Sequence, residues 1–181
     1  MSNRQTTARF EEQVLIHLDS AYNLARWIIR DAITARDAVQ NSCLRAFRSF
    51  DQVQGPNVRS WFLAVIRNTC IDLLREQQGR SVEEEYEEDL HGGGAAYESG
   101  GLGTPEDIAA RASDARWLHS CIDALPREYR EVIVLRELEE LSYKEISAIV
   151  DVPIGTVMSR LSRGRDLLQQ RMRFAQQRSR S

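Results

Sequence analysis

Lysine is almost missing from this sequence. Lys144 stands alone among 24 basic residues, so Arg carries nearly all of the positive charge. Planar guanidinium forks suit bidentate contacts with phosphates and guanine edges, although GC-rich coding also enriches Arg. Cysteine is scarce as well. Cys43, Cys70 and Cys121 are odd in number, widely spaced and set in apolar-periodic segments, which argues against a disulfide framework and for reduced core thiols. No apolar run approaches the length needed to cross a bilayer. Met1-Ser2-Asn3-Arg4-Gln5 lacks the charged-then-apolar pattern of a secretion signal, so the expected location is the cytoplasm. Catalytic constellations are missing too: His17, His91 and His119 are isolated, no CxxC or HExxH occurs, and Gly92-Gly93-Gly94 has no helix after it to hold a phosphate. The expectation is a protein that is not an enzyme, with no catalytic residues, metal, cofactor or small-molecule substrate.

What is present is segregated charge. The net charge of −3 conceals a basic first part, residues 1–80, with 11 Arg against 8 acids. Ser81 to Asp107 holds nine acids and no base, and Ile108 to Ser181 returns to 13 bases against 10 acids. From Val152 onward seven Arg face Asp166 alone, a positive field of the kind that attracts a phosphate backbone.

Helical periodicity dominates. Phe62, Val65, Ile66, Thr69 and Leu73 follow i, i+3, i+4, i+7, i+11 and gather one apolar stripe. Val14, Leu18, Ala21, Tyr22 and Ala25 mark an earlier stripe, and Ala38, Val39, Cys43, Ala46, Phe47 and Phe50 another, with a polar break near Arg30 to Arg36. These three helices predict a small bundle over residues 1–77. Residues 78–104, with Glu83-Glu84-Glu85 and two Gly-rich clusters, read as a flexible acidic linker. Thr104-Pro105-Glu106-Asp107 reads as a helix start, opening a second unit over 105–181. Within it Ala109–Ala124, Pro126–Glu137, Ser142–Val150 and Pro153 to about Met172 read as helices, Ser142 to Glu145 with capping-box spacing and Pro153 as a first-turn proline. No long period-two alternation occurs, so the fold class is all-α: two small helical bundles on a tether.

Two short helices across a tight turn, the second one basic, make a helix-turn-helix. Val157, Leu161, Gly164 and Leu168 should pack inward, leaving Met158, Ser159, Ser162, Arg163 and Asp166 outward and Arg160 and Arg165 at the flanks. Ser159 and Arg160 lie early in the helix, where base edges are reachable. Arg163 and Arg165 suit phosphates, and Gly155 and Thr156 could donate to a phosphate at the helix start. A merely solvated Arg face is the alternative.

Leu125-Pro126-Arg127-Glu128-Tyr129-Arg130-Glu131-Val132, Leu141 to Ser147 and Val152 to Arg165 together resemble region 4 of extracytoplasmic-function sigma factors, of the sigma-70 family. The resemblance implies that the last helix reads the promoter's minus 35 element through Thr156, Met158, Ser159 and Arg160, with backbone contacts at Arg163 and Arg165. Many relatives carry Arg where Met158 stands, so contact with a thymine methyl is an alternative there. Asp37 to Phe47 resembles the region 2 helix that docks on the polymerase clamp, with Asp37 and Gln40 at matching polar positions, Asn41 replacing the usual acid and Arg45 a further polymerase-binding candidate. Arg59 to Arg75 is similar to the family's promoter-melting and minus 10 helix. Trp61 and Phe62 are readable there as core or as stacking platforms, while Arg59, Arg67, Asn68, Asp72 and Arg75 are polar candidates. The turn Asp51 to Val58 is where the family accommodates a flipped base. In the family the linker threads toward the active-centre and RNA-exit channels, so its acids could mimic nucleic acid; a solvated tether is the alternative.

The resemblance implies a bacterial alternative sigma factor that initiates transcription, often in stress responses. Its partners would be the RNA polymerase core, at the beta-prime clamp and beta flap, promoter DNA, and an anti-sigma factor that holds it inactive. Two rivals remain at this point: an ordinary helix-turn-helix regulator, which would usually dimerise on palindromes, and a sigma-like decoy that binds an anti-sigma factor without reaching DNA.

Overall fold

The computed structural model describes residues 3–53, 57–81 and 105–178, and across them the chain is helical, with no strand among the described residues. The first unit comprises α1 (Asn3–Gln13), α2 (Leu18–Ile29), α3 (Ala32–Ser49) and α4 (Val58–Ser81). The second comprises α5 (Pro105–Asp123), α6 (Arg127–Ile133), α7 (Tyr143–Val150) and α8 (Ile154–Arg178). Single 3₁₀ turns at Leu15–His17 and Phe50–Gln52 flank α2 and α3, and a π-helical turn, Val134–Leu138, prolongs α6.

In the first unit α2, α3 and α4 pack around Ala21, Leu24, Ile28, Ala38, Ala46, Phe62, Leu63 and Ile66. The predicted inner faces are confirmed at Ala21, Ala25, Ala38, Ala46, Phe62, Ile66 and Thr69, all buried. Two features differ from the sequence reading. A fourth helix, α1, precedes the predicted three; Phe10 is its anchor, packed edge-on against Phe47 at 5.2 Å and Phe50 at 5.3 Å between ring centroids. One large apolar residue in an otherwise polar helix makes no periodic stripe, which is why the pattern hides it.

The break expected over Arg30 to Arg36 shrinks to Arg30 and Asp31. Arg30 takes a left-handed φ of 70° that ends α2, and the Asp31 carboxylate accepts the Thr34 N–H at 2.7 Å to start α3 at once. That bond holds the Asp31 carboxyl below its ordinary pKa. α4 also runs to Ser81, four residues into the stretch read as linker. The rest of that linker and the Thr104 cap lie outside the described residues.

The second unit follows the expected helices, except that α8 runs to Arg178, past the expected end near Met172. Leu125, Val132, Ile133, Leu135, Leu141, Ile146, Ile149, Val157 and Leu161 form its core. Arg130 is buried at the α5–α6 turn, where its guanidinium donates to the backbone carbonyls of Asp123 at 2.6 Å and Leu125 at 3.3 Å. Burial pushes its pKa down to about 10.

The turn between α7 and α8 is built from local chemistry. Ser142 accepts the Glu145 N–H while Glu145 accepts the Ser142 N–H at 2.8 Å, a reciprocal cap on α7. Asp151 takes φ 54°, a left-handed conformation that Asp tolerates better than most side chains, and closes α7. Ser147 then donates to the Val152 carbonyl at 2.6 Å. Pro153 sits one residue before α8, and its carbonyl accepts the Thr156 and Val157 N–H groups. The expected first-turn proline is thus a cap, and it leaves the helix start open.

Gly164 is buried where α8 crosses α6. A Cβ there would stand 3.1 Å from Ile133 Cγ1 and 3.3 Å from Tyr129 Cβ, whereas one on Gly155 would meet nothing within 4 Å. Gly164→Ala should therefore destabilise the chain by about 1–3 kcal/mol, because Ile133 is fully packed and Tyr129 Cβ is tied to its backbone. Gly155→Ala should not; paired urea titrations compare the two, and equal midpoints would contradict the close crossing.

A pH effect follows from the α7 cap. Hydrogen bonds from Ser142 hold the Glu145 pKa below its ordinary 4.5. A lowered carboxylate pKa stabilises the fold above the unfolded value and loses that contribution as pH falls through the folded one. Glu145→Gln should lower the urea midpoint at neutral pH, and the gap from the parent chain should close below pH 4.5. A gap that stays constant into acid would show that the charge contributes nothing.

Candidate nucleic-acid interface

α8 presents two faces. Val157 and Leu161 are buried, Gly164 lies against α6 and Leu168 is half-buried, so the inward stripe is as expected. Met158, Ser159, Ser162, Arg163 and Asp166 are exposed, Met158 at 53%. Ile154, also exposed, adds a second apolar group near the helix start. Gly155 is exposed and Thr156 half-buried, both in the first turn. Ser159 Oγ donates to the Thr156 carbonyl at 3.0 Å, the resting orientation of a hydroxyl that is otherwise open to solvent.

The flanking arginines are engaged with acids of the second unit. Arg160 lies 3.7 Å from the Glu128 carboxylate with its side chain 23% exposed. Arg165 makes a forked contact with Glu137 Oε1, at 3.1 Å from Nε and 2.7 Å from Nη2, which raises its pKa. Both pairs are partly exposed and contribute little stability, so neither carboxylate holds its arginine strongly.

α3 brings the clamp candidates together. Asp37, Gln40, Asn41 and Arg45 are all exposed on it. Ile33 at 72% and Leu44 at 60% exposure share the face of Asp37 and Gln40, at i, i+4, i+7 and i+11. The sequence reading missed these two, although their spacing against the buried Ala35, Ala38, Val39 and Ala46 could have shown them. Arg45 reaches across to Asp72 at 3.5 Å, coupling a clamp candidate to a minus 10 candidate.

The α4 candidates divide. Asn68 and Arg75 are exposed. Trp61 is half-buried and tilted against Phe50, 6.3 Å between centroids, and Phe62 is fully buried core. The proposed flipped-base turn lies partly outside the described residues; of it Asp51 and Gln52 are exposed, with Asp51 accepting from Thr6 at 3.2 Å.

Arg59 and Arg67 are where the structure departs most from expectation, because the second unit is docked on them. Arg67 Nε donates to Glu131 Oε2 at 2.9 Å, with side chains 18% and 3% exposed. Arg59 Nη2 donates to Glu139 Oε2 at 2.8 Å, and Asn23 donates to the other oxygen of that carboxylate at 2.7 Å. Ser60 donates to Glu145 at 3.2 Å. At the far end Arg30 pairs with Asp123 at 3.1 Å, and Trp27 stacks on His119 at 4.2 Å. α4 packs on α7 and α2 on α6, so the two expected bundles share one buried core.

The three thiols are free, with Cys70 and Cys121 buried. Burial, aided by the Glu131 charge, pushes Cys70 up to about 12. Among the described residues no group of three His, Cys, Asp or Glu could hold a metal ion, and no helix is long and apolar enough to cross a membrane.

Comparison with known proteins agrees over both units. The family model for Sigma-70 region 2 matches residues 14–80, and that for Sigma-70, region 4 matches residues 115–168. The chain is 33% identical over 159 residues to the ECF RNA polymerase sigma factor SigE of Mycolicibacterium smegmatis, covering 88% of this chain but only 60% of that protein. It is 34% identical over 137 residues to the ECF RNA polymerase sigma-E factor of Salmonella typhimurium, covering 73% of this chain and 70% of the relative.

Among solved structures it resembles the sigma factor RpoE of Bartonella quintana, crystallised with the anti-sigma factor NepR, with TM-score 0.74, 25% identity and coverage of 91% of this chain and 97% of that one. It shares its fold with CnrH, solved in complex with the cytosolic domain of CnrY, at TM-score 0.60, 22% identity and coverage of 90% and 86%. Two ordered region matches and relatives that share this all-helical arrangement lead to one conclusion: the chain belongs to the extracytoplasmic-function RNA polymerase sigma factors of the sigma-70 family.

Proposed function

We propose that this chain is an alternative sigma factor that binds the RNA polymerase core, directs it to one class of promoters, and is held inactive by an anti-sigma factor. The observation that carries the reading is the pair of region matches in their proper order, combined with an α8 whose apolar stripe is buried and whose outward face, with Met158, Ser159 and Arg163, is exposed. A helix-turn-helix regulator would have no need of the first unit. A decoy would have no need of an open recognition face.

In this reading residues 1–77, with α4 continuing to Ser81, dock on the clamp and read the minus 10 element. Asp37, Gln40, Asn41 and Arg45 meet the clamp, with Ile33 and Leu44 as apolar anchors beside them. Arg59, Trp61, Arg67, Asn68, Asp72 and Arg75 serve the minus 10 region, Asp72 by orienting Arg45 as much as by touching DNA. Residues 78–104 connect, and 105–181 read the minus 35 element and meet the beta flap. Gly155 and Thr156 sit at the phosphate, Met158, Ser159 and Arg160 at base edges, and Arg163 and Arg165 at the backbone. The chain supplies recognition while the core supplies catalysis, which places its work in the cytoplasm with the polymerase.

Exposed Met158 beside Ile154 favours an apolar contact with a thymine methyl over a guanine-reading fork at that point of the groove. Dividing recognition between two modules makes each weak alone and strong once the core fixes their separation. The Bartonella relative was crystallised with an anti-sigma factor, and a keeper of that kind would cover the same exposed faces here.

Run-off transcription with purified core enzyme tests the proposal: promoter-specific starts should appear only when the chain is added. Core that starts no new transcript, or that fails to co-purify with the chain, would refute it. Arg160→Ala should weaken initiation by about 1–3 kcal/mol at promoters carrying the preferred upstream element. Measured across a panel of upstream sequences, an equal loss everywhere would rule out base reading by Arg160.

A further inference from the structure

Two of the α4 arginines assigned to promoter DNA are already occupied by carboxylates of the same chain. Glu131 and Glu139 are 2% and 6% exposed, so their charges depend on the partners they meet across the unit boundary. Glu131 Oε2 takes the Arg67 Nε donor at 2.9 Å. The two oxygens of Glu139 take Arg59 at 2.8 Å and Asn23 at 2.7 Å. A carboxylate and a phosphate offer a guanidinium the same thing, an anionic oxygen in line with an N–H. Ser60 to Glu145 and Arg30 to Asp123 complete a polar seam along α4 and α2. The acids of this seam all come from the second unit and the arginines all from the first.

We propose that Glu131 and Glu139 act as built-in phosphate surrogates that mask Arg67 and Arg59, so that the chain closes on itself and must open at this seam before α4 can bind nucleic acid. The inference rests on the reading of Arg59 and Arg67 as DNA contacts. Closure and masking are coupled because one set of bonds does both. Any partner that parts the two units, such as the polymerase core, unmasks the arginines. Conversely, any partner that grips both units together strengthens the mask without touching α4.

The test uses the full chain in two assays: small-angle scattering for compactness, and fluorescence anisotropy with labelled oligothymidylate for single-strand binding. Glu131→Gln with Glu139→Gln should expand the free chain and tighten oligothymidylate binding about tenfold, as expected when the competent state rises from a minor to a major population. A charge-matched control, Asp114→Asn with Glu140→Gln, alters exposed acids that make none of these seam contacts and should do neither. Adding Arg59→Ala and Arg67→Ala to the seam variant should abolish the gain while the chain stays expanded.

Expansion without tighter binding, no change in either assay, or an equal gain in the control each overturns the proposal. If circular dichroism shows that the double variant does not fold, Glu139→Gln alone, outside α6, should give the same two changes at about threefold. Run-off initiation by Arg59→Ala with Arg67→Ala is read separately with core present. Undiminished initiation there would remove the promoter role of these arginines, while the oligothymidylate gain would still support their masking.

Discussion

A buried carboxylate must be paired or it will not stay charged, and this chain buries two of them where its halves meet. Removing Glu131 and Glu139 from water costs several kcal/mol each unless charged donors replace the lost hydration. Among the described residues, the bonds to Glu139 come from Asn23 and Arg59 of the first unit. Glu131 has Arg127 at 3.5 Å on its own helix, a longer contact than the 2.9 Å bond from Arg67. The arrangement of the two units is therefore set by where α4 and α2 place cations opposite these acids. Such pairs add little net stability over an apolar contact of the same size, but a wrong docking would leave charges buried and unpaired. They select one arrangement more than they strengthen it.

The same economy governs the helix-turn-helix. Each boundary is settled by short-range bonds: the Ser142–Glu145 cap, left-handed Asp151, Ser147 on Val152, and Pro153 as acceptor for the first turn of α8. Local closure fixes the angle between α7 and α8, and Gly164 lets α8 lie close on α6. On the outward face Met158, Ser159 and Arg163 are exposed and outside the core, so substitutions there should leave the fold that displays them intact.

These local devices are also what made the sequence readable. Stripes such as Phe62–Ile66–Thr69 and Val157–Leu161–Gly164 report burial because helix period and packing face coincide. The cap at Ser142 and the proline before α8 are visible as spacing. α1 escaped because Phe10 is the one large apolar residue among its described buried side chains, and the expected break at Arg30 to Arg36 was too long because the Asp31–Thr34 cap restarts a helix within two residues. The seam was illegible for a different reason. Its bonds join positions 64 to 116 residues apart, and each partner, read alone, is an ordinary polar or charged residue. Glu131 even sits within a motif quoted for its family resemblance, where nothing about its spacing announces that it is buried.

Two DNA-binding modules on one chain, each weak alone as proposed, would create a problem that the seam answers. Linked modules raise each other's effective concentration on any nucleic acid that offers both sites, including irrelevant ones, and phosphate attraction is indifferent to sequence. A chain whose modules instead bind each other through the groups proposed to meet phosphate has a competing closed state, and its apparent affinity for stray DNA falls by the fraction that remains open. In the proposed opening the polymerase core would reverse this by holding the units apart at fixed separation. Selectivity for the assembled machine over free DNA would then need no additional contact: it would follow from arginines proposed to serve, in turn, two different anions.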